Sequence, residues 1–182
     1  KNYNHNPLND VFFAMSHGVH RGVLKKGKFD ERTNFLLKLV NNLPNIKFDI
    51  YGIKNRQPVW ADNFINALSQ SKIALNLSQG YASKYYTSDR FAQLIGNGLL
   101  VMIDKKTKFG DFFNKDEIIT YNNISDLSKK IEKYSNDNAL RQKIAKKGRN
   151  KYFKYFNSTI VAEFIINKSF NINKNYFCKN FN

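Results

Sequence analysis

Residues 88–103 read Ser88-Asp89-Arg90-Phe91-Ala92-Gln93-Leu94-Ile95-Gly96-Asn97-Gly98-Leu99-Leu100-Val101-Met102-Ile103. The first part has helical spacing: Phe91, Leu94 and Ile95 share one face, Arg90 and Gln93 lie three residues apart on another, and Gly96 and Gly98 follow. The second part, residues 99–103, is an unbroken apolar run. Such a run suits a strand buried on both faces, as in a parallel sheet whose crossovers are helices.

The same alternation extends outward in both directions. Residues 71–77 form a strand-like run closed by Ser78, Gln79 and Gly80, preceded by Trp60, Phe64, Ile65 and Leu68 at helical spacing. Earlier still, residues 46–51 alternate apolar and polar side chains before Gly52. Residues 11–16 are a short apolar run ended by His17-Gly18-Val19-His20-Arg21-Gly22. Between these two strands Phe35, Leu36, Leu39, Val40 and Leu43 mark one face of a helix that Asp30 can cap and Pro44 and Asn45 end. Towards the C-terminus, residues 117–121 read as a further short strand. Three helices follow: 125–135 capped by Ser125, 137–147 capped by Asp137 and stopped by Gly148, and 158–168. The pattern predicts a lead over 1–10, one α/β, Rossmann-like three-layer domain with a mostly parallel sheet over 11–168, and a frayed tail over 169–182.

Composition bounds the function. A chain of 182 residues that is 42% hydrophobic can bury the core of one ordinary domain but not of two. The net charge is +16, yet 24 of the 30 cations are lysines, spread over exposed helix faces and accompanied by an excess of Asn, Ile, Phe and Tyr. That distribution speaks against nucleic acid as a partner, while the sign suits a phosphate-bearing ligand. Cys178 is the single cysteine, so neither a disulfide framework nor a thiolate metal cluster is available. No apolar run approaches the roughly 20 residues needed to span a bilayer. The expectation is a soluble cytoplasmic domain whose membrane contact, if any, is peripheral.

In an open parallel sheet, ligands bind beyond the carboxyl ends of the strands, here the loops after Ser16, Tyr51, Leu77 and Ile103 and the helix starts they lead into. The spacing predicts that Thr87 and Ser88 cap the helix that follows, leaving its first backbone N–H groups and its dipole to hold a diphosphate. Spacing alone equally allows a purely structural helix in which Arg90 pairs with Asp89 or another carboxylate. A Ser-His-Asp arrangement, a Walker phosphate loop and a GxGxxG fingerprint are all missing, which speaks against hydrolase, ATPase and dinucleotide chemistry. No acid/base pair stands out, so the catalytic residues stay unassigned. His17 and His20 lack Asp, Glu or Cys at matching spacing, and no metal or other cofactor is expected.

Residues 88–100, the acidic strand start Asp116-Glu117-Ile118-Ile119 and the helix end Ile144-Ala145-Lys146-Lys147-Gly148 form an ordered set. The set resembles the C-terminal domain of group 1 glycosyltransferases, and is most similar to the branch containing spore-maturation-type proteins. The likeness covers residues 11–168. It implies one half of a GT-B fold, in which two Rossmann-like domains face each other across a cleft and the C-terminal one holds the nucleotide-sugar donor. The residues implied for the diphosphate are Thr87, Ser88, Asp89 and Arg90, with Arg21 and Lys25 from the loop after the first strand. Those implied for the ribose and base are Gln93, Gly52 and Tyr86. Gln93 stands where many members have a glutamate, and Tyr85 stands at the position of the family's paired glutamate. A glutamine retains one carbonyl acceptor but loses the charged two-oxygen geometry.

The implied reaction is metal-independent transfer of a hexose-like sugar to a glycan, lipid or protein, as in cell-envelope glycan biosynthesis. An N-terminal domain would supply the acceptor site and the base, so the chain is expected to be a fragment with little activity alone. The alternative from a different class is a non-catalytic module of the same fold that binds a polyanion or a membrane through its lysines.

Overall fold

Every apolar run singled out above forms a strand, and all five strands are parallel. The computed structural model describes residues 6–15, 31–53, 56–78 and 82–172. In chain order the elements are β1 (Asn9–Ala14), α1 (Glu31–Asn42), β2 (Phe48–Tyr51), α2 (Ala61–Ser69), β3 (Ser71–Asn76) and α3 (Arg90–Gly96). They continue with β4 (Leu100–Asp104), two short 3-10 turns over Lys105–Thr107 and Phe109–Phe112, and β5 (Ile119–Tyr121). The helices α4 (Ile124–Asn136), α5 (Asn138–Tyr155) and α6 (Ser158–Ser169) complete the chain.

The sheet order is β2-β1-β3-β4-β5. Strand order reverses between β1 and β3, which makes their carboxyl ends a topological switch point where a crevice opens. The register aligns the ends of neighbouring strands: Ala14 with Tyr51, Asn76 with Ile103 and Asp104 with Tyr121. One edge of the sheet therefore carries Ala14, Asn76, Asp104 and Tyr121.

Alternation along each strand divides the core into two layers. On one face Val11, Phe13 and Met15 pack with Leu36 and Leu39 of α1 and Leu127 and Ile131 of α4. On the other, Phe12 and Ala14 pack with Phe64 and Leu68 of α2 and with Phe91, Leu94 and Ile95 of α3. The expected three-layer α/β, Rossmann-like architecture is present. Helix α6 stands apart from both layers: none of its residues is buried, and Val161, Phe164, Ile165 and Ile166 are exposed.

Several local expectations are corrected. Gly148 does not stop α5, which runs through it to Tyr155. A Cβ built at Gly148 would lie 2.0 Å from the carbonyl oxygen of Glu117, so the glycine lets the helix pass against the backbone leading into β5. The contact is fastened on either side by ion pairs, Lys147 with Asp116 and Lys151 Nζ with Glu117 at 2.9 Å. Residues 117 and 118 belong to a turn instead of the strand, because the Glu117 N–H donates to the Asn114 carbonyl while the Glu117 carboxylate accepts from the Asn114 N–H. Asn123, not Ser125, caps α4 by accepting from the Asp126 N–H, whereas Asp137 does cap α5, by accepting from the Leu140 N–H. Of the residues at helical spacing before β3, Phe64 and Leu68 are buried, whereas Trp60 is 61% exposed.

The Gly148 contact yields a direct test. Gly148→Ala should lower stability by about 2–3 kcal/mol, an overpacking cost set against a small gain in helix propensity. Urea denaturation would measure it, and a loss below about 0.5 kcal/mol would show that the helix and the Glu117 carbonyl are not in such close contact.

Candidate functional site

The site is built where the switch point lies. The β1 backbone ends at Ala14 and Met15, β3 ends at Asn76, and the segment after β3 returns through Tyr86, Thr87 and Ser88 into α3. The expected capping by Thr87 and Ser88 is not what their hydroxyls do. The Asn76 side-chain amide donates to Thr87 Oγ1, and Ser88 Oγ donates to Asn76 Oδ1 at 2.9 Å. Helix α3 begins only at Arg90, with Asp89 as its N-cap in αR geometry and without a side-chain cap bond. A single asparagine at the end of a strand therefore orders the entry to the helix by holding both hydroxyls.

Arg90 does not pair with Asp89 through any hydrogen bond or ion pair found among the described residues; it reaches across the sheet edge. Its Nη1 donates to the Ala14 carbonyl at 2.8 Å and its Nη2 to the Leu77 carbonyl at 3.3 Å. The guanidinium carbon lies 5.0 Å from the Phe13 ring centroid. The side chain thus ties together the ends of the two strands that flank the switch point. Burial, and then the positive charge of Arg32, pull its pKa down to about 10, and Tyr86 opposes the shift. At neutral pH Arg90 stays protonated. Two arginines of like charge therefore face one crevice, an arrangement that an anion between them would relieve.

A cavity of about 580 Å³ opens there. Its lining brings together Tyr86, Ser88, Arg90 and Gln93 with Arg32 from the first turn of α1, Ser78 after β3, and Val59, Trp60 and Ile65 from α2 and its approach. The volume lies within the roughly 300–1,000 Å³ typical of small-molecule sites. A second cavity of about 370 Å³ continues along the sheet edge over the ends of β3, β4 and β5, and Arg32 and Ser78 line both.

Not every expected residue arrives. Thr87 and Asp89 do not line either cavity. Gly52 is buried with φ at +79°, and a Cβ there would lie 1.8 Å from the Met15 carbonyl oxygen, so this glycine serves the close approach of β1 and β2; it lines neither cavity. Tyr85, at the position of the family's paired glutamate, turns away with φ at +60°, packs on Phe112 and bonds Asp111 through its hydroxyl. Arg21, Lys25 and the two histidines of the first loop lie outside the described residues. Arg32 is the residue that sequence reasoning passed over, while Trp60 could be read either as core or as an aromatic at the base end of the site. The signal for Arg32 was its place at the helix start after the first strand, and what favours the second reading of Trp60 is its place just before α2, after the loop that follows β2.

A family model described as glycosyl transferase-like matches residues 32–167. Among solved structures, a glycosyltransferase from Rickettsia africae ESF-5 superimposes with a TM-score of 0.57 at 17% identity, covering 94% of this chain and 49% of that one. The structure of TarM superimposes with a TM-score of 0.61 at 14% identity, covering 91% of this chain and 36% of that one. This chain therefore spans about half and about a third of the structures it matches. No curated protein sequence matches it.

The bridging role of Arg90 predicts the behaviour of its conservative replacement. Arg90→Lys keeps the charge but cannot reach two divergent carbonyls, and should lower stability by about 1–3 kcal/mol. Thermal or urea unfolding of the variant tests this; unchanged stability would mean that the bridge does not hold the strand ends.

Proposed function

Because this chain belongs to the glycosyl transferase-like family, we propose that its 580 Å³ cavity binds the nucleoside diphosphate of a nucleotide-sugar donor. The observation that carries the proposal is the convergence of Arg32 and Arg90 at the switch point of a parallel sheet, beside the Ser88 hydroxyl and below two exposed aromatic rings. The arginines match a diphosphate in charge, and the Arg32 guanidinium can donate to its oxygens. Trp60 and Tyr86 offer flat apolar faces to a base, and Gln93 offers a carbonyl oxygen and an amide to ribose hydroxyls. In this reading the departing diphosphate is neutralised by cationic side chains, with no metal or other cofactor. Arg21 and Lys25 remain proposed as further phosphate contacts.

The sugar would pass to a glycan, lipid or protein acceptor held by an N-terminal domain, which would also supply the catalytic base. Two facts support a chain that works as half of a larger unit. It covers 49% and 36% of the two matched structures. Helix α6 carries apolar residues that a helix normally covers, and here they are exposed. The polyanion-binding alternative is weakened by α5, its most lysine-rich element. There Lys147 and Lys151 are paired with Asp116 and Glu117, and Arg149 donates to the Gly96 carbonyl. Among the described residues no helix is long and apolar enough to cross a membrane.

A panel of UDP, GDP and ADP tests the reading by thermal shift. One of them, at about a hundredfold excess over its Kd, should raise the midpoint by roughly 5–10 °C. Arg32→Gln and Trp60→Ala should each remove most of that shift, measured against the variant's own unliganded midpoint. Indifference to all three nucleotides, together with salt-sensitive binding to RNA or anionic vesicles, would favour the alternative.

A further inference from the structure

We infer that the 370 Å³ cavity is the pocket for the donor's sugar, with the carboxylates of Asp104 and Glu31 accepting hydrogen bonds from its hydroxyls. The inference rests on the nucleotide reading of the larger cavity and adds to it which side of the crevice the sugar takes. Continuity is the first argument. Arg32 and Ser78 line both cavities, so a ligand whose phosphates lie at Arg32 has its two ends in different chambers.

The chambers differ in chemistry. The larger one presents Trp60 and Tyr86 and no carboxylate other than Asp62, which suits a flat base. The smaller one presents Asp104, Glu31 and Lys106 above the rings of Phe35 and Tyr121. Those two rings are stacked, with centroids 6.3 Å apart and planes 25° from parallel. Carboxylates beside the half-buried Phe35 ring, with the buried Tyr121 stacked against it, fit a polyhydroxylated ring with one less polar face: the oxygens accept from hydroxyls and the C–H face rests on Phe35 carbon. At 370 Å³ the chamber is near the lower end of the roughly 300–1,000 Å³ range of small-molecule pockets. The two acids lack a third His, Cys, Asp or Glu beside them among the described residues, so they do not make a cation cage.

The fold holds this chamber in a definite shape. Asp104 is the last residue of β4, in register with Tyr121, and its Oδ1 accepts from the Lys106 N–H at 2.8 Å, which leaves the second carboxylate oxygen for a ligand. Burial raises the Tyr121 pKa and the nearby Asp104 charge raises it further, so its phenol stays protonated.

Calorimetric titration of this chain with matched pairs, UDP and UDP-glucose, GDP and GDP-mannose, ADP and ADP-glucose, tests the assignment. At least one nucleotide-sugar should bind about tenfold more tightly than its nucleoside diphosphate. Asp104→Asn retains a cap for the Lys106 N–H but loses the charge, and should erase that difference while leaving the nucleoside diphosphate affinity within about twofold. Glu31→Gln, at an exposed position of the first helical turn, should reduce the difference in the same way. Binding of the diphosphates with no gain from any sugar, or a gain that survives both substitutions, overturns the sugar pocket alone. Absence of binding by every nucleoside diphosphate overturns the donor reading itself, and the pocket with it.

Discussion

The Arg90 guanidinium, bonded to the carbonyls of Ala14 and Leu77, joins the ends of the two strands between which the sheet changes direction. At a switch point the crossover helices depart to opposite faces, so no connection covers the gap between β1 and β3. A cation that spans this gap determines the width of the crevice, and with it the spacing between Arg32 on one side and Ser88 on the other. The bridge also carries an electrostatic consequence. It places a positive charge, partly stripped of water, near a second one. The crevice is thereby suited to a ligand bearing two negative charges before any ligand contact is counted.

Around that bridge, strand ends serve as both scaffold and lining. Asn76 closes β3 and holds the hydroxyls of Thr87 and Ser88, which orders the turn that delivers Arg90. Asp104 closes β4 and caps the first 3-10 turn. Tyr121 closes β5 and forms the floor of the smaller chamber. Because the strands are parallel and in register, these residues share one edge of the sheet although they lie far apart in the chain. Both cavities open at that edge, while the opposite edge is stabilised by structural pairs such as Lys72 with Asp10 at 2.6 Å.

The fold was largely legible. Residues 99–103 announce a strand buried on both faces, and the alternation around it leaves few topologies open. The misreadings cluster where a residue has two physical uses. Glycine after a helical run commonly ends the helix, but Gly148 continues it because a carbonyl from a distant segment occupies the space of its Cβ. Hydroxyls before a helix commonly cap it, but Thr87 and Ser88 turn to Asn76, a residue of a different element. In each case a long-range contact overrides a local preference, and local spacing cannot report such a contact.

The site divides along the same line. Helical periodicity placed Arg90 and Gln93 on one face, and the strand-end rule placed the crevice beside them; both follow from local spacing and from the handedness of crossovers. The partners of Arg90, the approach of Arg32 from the opposite side, the exposure of Trp60 and the withdrawal of Gly52 and Tyr85 were decided by tertiary structure. The sequence by itself determined a parallel α/β sheet and the edge at which its cavities open, because periodicity is a property of neighbours in the chain. Which side chains meet there was decided only when β1 and β3 came together, because that meeting depends on segments more than 60 residues apart, as Ala14 and Arg90 are.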